Sequence, residues 1–432
     1  RFALFTLPQK AQVPVSIRAE QLQGTLWHGF SGKGWLVQTE SADVAVSELV
    51  LDWDSSQLWD KHILVRELSA GDVQITPKPI PPKPDDETPP RLPEDLALPF
   101  TVNVQKLAVG RISQGETVLL RGVSAAYRYE YNLHRLDIAS LQTPWSDSKG
   151  TLALAAQRPF ALRGKMRSHG DLDGIAVQSG LDLDGSLQEV LLKTDLAGNG
   201  VSLRADTAVR PFAESLGKKV GHIRLSGEGI SPHAFWDNLP KADLHFFANV
   251  LPDFDSPQLG LSGQIELRNN APAPADQNGI PLRDLTGNFA INESGAVSIE
   301  NLLAHTAKNG KVSVDGGIYT QKKTLNLNVA VSNLTAADVL AQDFAGKLDG
   351  TVNLSGAFDA PVASFKLDTG FAKTAGLVSL RTDKRGGQQA VVLEKGEILP
   401  PNGGKLNVAA TLELFKDQKI QADIVSSGFN PQ

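Results

Sequence analysis

Apolar and polar residues alternate along most of this chain. Between Lys323 and Val331, the residues Leu325, Leu327, Val329 and Val331 fall on one side of an extended backbone, and Asn326 and Asn328 fall on the other. From Gly200 to Val209, Val201, Leu203, Ala205 and Val209 oppose Ser202, Arg204 and Asp206. Leu406, Val408, Ala410, Leu412 and Leu414 stand against Asn407, Thr411 and Glu413. The same period relates Leu181, Leu183 and Leu187; Leu261, Ile265 and Leu267; Leu348, Val352 and Leu354; and Ile420, Ala422 and Ile424. Successive side chains of a strand point to opposite faces, so each segment predicts a strand with one apolar and one polar face. Such alternation favours antiparallel sheets with one wet face over parallel α/β sheets. The segments recur roughly every 10–12 residues, and Asn309-Gly310, Asp315-Gly316 and Asp349-Gly350 read as turns between them.

Helical signals are few and short. Asp54 or Ser55 caps a candidate helix over Gln57–Lys61. Ser231-Pro232 opens a second that runs through Phe235 and Trp236, with Ser as cap and Pro at the first helical position. Thr335 opens a third, Ala336 to Gln342. The last two follow similar strands, and a third such strand ends at Phe429, so the matched residues Ile230, Leu334 and Phe429 lie 104 and 95 residues apart. This is a loose repeat of strands closed by a short helix. The chain stops where the next helix should begin, and the natural protein is expected to continue.

Three regions follow. Residues 1–76 hold Trp27, Trp35, Trp53 and Trp59 and form a Trp-rich N-terminal unit. Residues 77–99 carry nine of the 25 prolines and cannot serve as a central strand, because proline has no N–H for the ladder. They read as an exposed linker. Residues 100–432 form the repeat array.

Composition narrows the chemistry. A length of 432 residues would ordinarily mean about three domains. The net charge of −6 argues against a nucleic-acid partner, which calls for a basic surface. Cysteine is absent, which removes disulfides, thiolate metal sites and cysteine nucleophiles and fits an exported bacterial protein. The one methionine is Met166 and the first residue is Arg1, so the chain reads as a processed or truncated product. No run approaches the ~18 apolar residues of a membrane span.

Catalytic and cofactor motifs are missing. The eight histidines are scattered without an HxxxH or HxH pair, so no zinc site is expected. Gly310-Lys311 is followed by Val312, not by the Ser or Thr of a phosphate loop. Gly29, Gly32 and Gly34 have the wrong spacing for a dinucleotide loop and read as a turn between strands. Asp171, Asp173, Asp182 and Asp184 alternate with leucines and read as two amphipathic strands, not a calcium loop. Tyr127, Tyr129 and Tyr131 fall on one face of one strand, as a packing ladder does. The chain is therefore expected to be neither an enzyme nor a cofactor protein.

What remains is apolar surface. An open or curled sheet built from these strands presents a continuous aliphatic lining, which suits acyl chains because they need apolar area and no hydrogen bonds. A closed sandwich would instead bury the same residues in a core.

Gln23-Gly24-Thr25-Leu26-Trp27, Ser47-Glu48-Leu49-Val50-Leu51-Asp52-Trp53, Leu58-Trp59, the run Ile63 to Val73, and a Pro-rich stretch ending in Leu96-Ala97-Leu98-Pro99-Phe100 resemble the N-terminal region of the TamB branch of the AsmA-like proteins. Leu334-Thr335-Ala336-Ala337-Asp338-Val339-Leu340, followed by the run Gly346 to Gly356 and Pro361, resembles that family's repeat unit. The resemblance implies an all-β fold: a long curled, mostly antiparallel sheet of stacked amphipathic strands with a few short helices, forming a taco-like groove. It implies a periplasmic protein of a Gram-negative bacterium, anchored to the inner membrane by an N-terminal helix not present in this sequence. It also implies phospholipid transport between inner and outer membranes, with phospholipid acyl chains as the cargo. Outer-membrane assembly with a Bam-like barrel partner, reached through a C-terminal domain expected to be missing here, is the alternative role. The expected groove lining is Leu325, Leu327, Val329, Val331, Leu348, Val352, Leu354, Leu406, Val408 and Leu412. An adhesin or glycan-binding solenoid fits less well, since a strict short repeat and aromatic platforms are both lacking.

Overall fold

The computed structural model describes residues 16–25, 27–39, 41–78, 91–172, 174–234, 238–254, 260–342, 346–382, 389–413 and 420–428. Among them the chain forms 29 strands in one mostly antiparallel open sheet. The helices are short: the 3-10 turns Ser55–Asp60, Pro232–Ala234 and Ala275–Gln277, and the α-helices Leu216–Lys219 and Ala336–Val339. The third candidate helix thus shrinks to about one turn; the second is described over Pro232–Ala234, and Phe235 and Trp236 lie outside the described residues. So do the residues of the third repeat copy from Phe429 onward.

Contacts divide the chain into two compact units, one of residues 1–199 and 206–213, the other of residues 200–205 and 214–432. In the first, Gly29–Gln38, Ala42–Asp54 and His62–Ala70 form an antiparallel meander. His62–Ala70 then pairs in parallel with Thr101–Val109, and Val73–Pro77 pairs in parallel with Ile112–Gln114. A parallel pair needs a crossover connection, and the Pro-rich stretch supplies it. Its middle, residues 79–90, lies outside the described residues, while His62–Ala70 before it and Thr101–Val109 after it are ladder partners. From Thr101 the chain meanders in antiparallel fashion to Val190–Gly198.

The second unit is plainer. Thirteen strands, from Val220–Ile230 to Ile420–Ser427, pair antiparallel in strict chain order. Fully buried side chains are scarce: the unit's core cluster is Val220, Val250 and Leu261, with Leu216, Ile223, Phe289 and Ile291 packed against it. The backbone ladder, not a packed interior, carries most of this structure.

Two of the expected turns are not turns. Asp315-Gly316 sits inside the strand Lys311–Tyr319, and Asp349-Gly350 inside Leu348–Ala357. Each aspartate instead serves a bulge on the preceding strand. Asn301 and Asn333 adopt left-handed conformations (φ 52° and 53°), and the register shifts beside each of them. The amide freed at each bulge donates to the facing carboxylate at 2.8 Å, Asn301 to Asp315 and Asn333 to Asp349. Asn309-Gly310 does fall between strands. Gly29, Gly32 and Gly34 lie within the strand Gly29–Gln38, not in a turn. Tyr131 leaves the expected ladder as well: its strand ends at Glu130, and Tyr131 turns outward at φ 52°.

Candidate functional site

Register decides which apolar residues meet. In the second unit Val314, Val329, Val352, Phe365 and Gly376 are successive cross-strand partners, and the row continues through Gly396, Val408 and Ile424. A parallel row runs Ile299, Gly316, Leu327, Leu354, Ala363, Val378, Leu393 and Ala410. Upstream the rows reach Ile223, Val250, Gly263 and Phe289. Directly opposed side chains on one face lie close enough to pack, so the rows form one apolar face across thirteen strands.

The ten residues expected to line a groove all fall on this face, in two groups. Val329 opposes Val352, and Leu327 opposes Leu354. Leu325 faces Ile318 on one side and Gly356 on the other, and Val331 faces Val312 and Gly350. Leu348 faces Leu334, beyond the bulge at Asn333. Leu406, Val408 and Leu412 share the strand Lys405–Glu413, where they face Ile398, Gly396 and Val391. Three strands separate this group from Leu348–Ala357, and the link runs through Phe365, Val378 and Leu393. Those linking residues escaped sequence reasoning because glycines at 376 and 396 interrupt the apolar count. The signal that finds them is register, not period.

All ten are half-buried, neither enclosed nor free. A sandwich interior would enclose them.

The first unit carries a comparable row: Phe30, Leu51, Leu68, Leu107, Ala125, Ile138, Gly150, Met166 and Leu181. One polar cluster interrupts this face near the strand ends. The Tyr127 hydroxyl and His134 Nδ1 are 2.7 Å apart, and His134 Nε2 lies 2.9 Å from the Leu96 carbonyl. Burial holds the Tyr127 hydroxyl above the usual phenol range, and the neighbouring Tyr129 adds to the shift. The cluster spends its polar atoms on itself and on residue 96, so it offers no open catalytic group.

The opposite face is charged and wet. Cross-strand ion pairs include Arg66–Asp52 at 2.8 Å, Lys106–Glu67 at 2.7 Å, Arg167–Asp182 at 3.2 Å and Lys405–Glu397 at 2.7 Å. The hydrogen bond from Lys106 holds the Glu67 carboxyl below its usual range. Asp182 is thus a strand residue paired with arginine, as the alternating-strand reading expected. Among the described residues no cluster of His, Asp or Glu is arranged to hold a metal ion, and no helix is long and apolar enough to cross a membrane.

Residues 7–115 match the family model described as TamB, N-terminal domain, and residues 300–428 match the TamB C-terminal domain. The second match runs against the expectation that the family's C-terminal domain is missing from this chain. No curated protein and no solved structure matches the chain.

Proposed function

The chain belongs to the TamB family, and on that premise we propose that its apolar face carries phospholipid between the two membranes of a Gram-negative envelope. The family assignment gives a bridge-like transport or assembly role in that envelope. One observation favours transport: apolar side chains stay in register across thirteen strands, and the ten expected lining residues among them are half-buried. Acyl chains gain about 25 cal/mol for each Å² of apolar area removed from water, without directional contacts. A lining of Leu, Val, Ile and Ala therefore holds a chain at many equivalent positions and lets it slide. Headgroups stay in water. No residue is catalytic in this reading. The chain carries no nucleotide-binding loop, so the drive comes from a gradient or a partner.

The test is native mass spectrometry of the purified chain after exposure to phosphatidylethanolamine and phosphatidylglycerol vesicles. Bound phospholipid supports the reading; a chain that stays lipid-free overturns it.

A second reading is a scaffold for outer-membrane barrel proteins, working with a Bam-like partner. It draws on the strand Thr117–Leu120, an edge within the chain that has one ladder partner among the described residues and exposes Leu119. An edge of this kind can accept a client strand. Photo-crosslinking from residues 117–120 tests it: capture of barrel strands there supports the second reading, and no such capture counts against it.

A further inference from the structure

Three phenylalanines on the second unit's apolar face stand directly opposite glycines. Phe246 opposes Gly227, Phe289 opposes Gly263, and Phe365 opposes Gly376. Glycine in mid-strand weakens a sheet, so its presence there needs a reason. Conformation does not give one, because none of the three has a positive φ. Space does: a Cβ added at any of them would run into the ring of its partner. Each ring therefore lies down over the neighbouring strand's backbone. It fills the place where a side chain would have been, and all three phenylalanines are half-buried.

We propose that these three pairs set the clearance of the apolar face, so that the aromatic rings add apolar area without standing up into the path of an acyl chain. Val, Leu and Ile project a few carbons from the sheet, whereas an upright phenyl ring reaches farther and would divide the lining into compartments. Laid over glycine, the ring leaves the rows level from strand to strand. The glycines act as positioning residues and the rings as floor. The inference rests on the lipid reading and specifies its cargo: long unbranched acyl chains that lie across several strands at once.

The experiment uses the full chain with Gly263→Ala and Gly376→Ala, loaded from the same phosphatidylethanolamine and phosphatidylglycerol vesicles. Phospholipid bound per chain is read by native mass spectrometry and stability by melting temperature. Each substitution is expected to cut bound phospholipid several-fold. Adding Phe289→Leu to Gly263→Ala, where the nearest atoms to the new Cβ all belong to the ring, is expected to restore it; at Gly376 the Lys395 carbonyl also lies 2.7 Å from the new Cβ, so the leucine rescue is read at Gly263. Phe365→Trp leaves the backbone untouched and raises the ring, so it gives the same loss even where a glycine variant fails to fold. Wild-type loading in the glycine and tryptophan variants overturns the inference, as does a loss that follows melting temperature and is not rescued by leucine. A wild-type chain that takes up no lipid removes the transport reading and this inference together; equal loading of wild type and variants removes only the inference.

Discussion

Asp338 is the most constrained carboxylate in the second unit. It is 3% exposed, and it accepts hydrogen bonds from the Thr335 amide at 2.8 Å, the Thr335 hydroxyl at 2.7 Å and the Lys308 and Gly310 amides at 3.2 and 3.3 Å. The Thr306 hydroxyl donates as well. Burial alone would raise its pKa; the donors from Thr306, Thr335 and Gly310 outweigh burial and hold the carboxyl far below the usual range. A carboxylate with a depressed folded pKa stabilises fully above its unfolded pKa, and the contribution fades as pH falls toward the folded value. Melting temperature is therefore expected to fall as pH drops below about 4, the ordinary range for Asp. Asp338→Asn should destabilise by about 1–3 kcal/mol and flatten that acid limb, both read from melting curves taken between about pH 2.5 and 6. Part of this was legible in the sequence: Thr335 followed three residues later by an acid is a cap signature. The reach to Thr306 and Gly310 was not, because it depends on which hairpin stacks beside the helix.

The strands themselves were legible because period two survives any packing arrangement. Their interruptions were not. Asp-Gly is a strong hairpin signal, yet at 315–316 and 349–350 it marks the strand that faces a bulge. A bulge leaves one residue unpaired and increases local twist. The exposed amide then needs an acceptor, and an aspartate one strand away supplies it. The glycine that follows, at φ 141° or 146°, takes a conformation that other residues rarely adopt. The two copies lie 34 residues apart at the aspartates and 32 at the left-handed asparagines, so the arrangement repeats with the strand pairs. Asp315→Ala and Asp349→Ala should each destabilise the second unit by about 1–2 kcal/mol, measured by denaturant unfolding. Amide exchange should quicken at Asn301 in the first and at Asn333 in the second. Unchanged exchange at those amides would show that water serves them equally well.

At the scale of the whole chain, alternation predicts both an open sheet and a sandwich, since the two share the same strands. Only the fraction of each side chain left uncovered separates them. The half-burial of Val329 and Val352, partners at the middle of the thirteen-strand unit, makes opposite forecasts for a charge placed there. In an enclosed core an unpaired charge costs several kcal/mol and unfolds the unit. On an open face the long stem of an arginine covers apolar surface while its head reaches water. Val352→Arg is therefore expected to keep a cooperative melt within about 1–2 kcal/mol of wild type while sharply reducing phospholipid transfer between donor and acceptor vesicles. Asn353→Arg, one residue along and on the wet face, adds the same charge and should leave both properties near wild type. Loss of cooperative melting in Val352→Arg alone would show that the face is enclosed in solution. Equal transfer by both variants would show that lipid does not travel over this row, and would move the weight of the family's role to its strand edges.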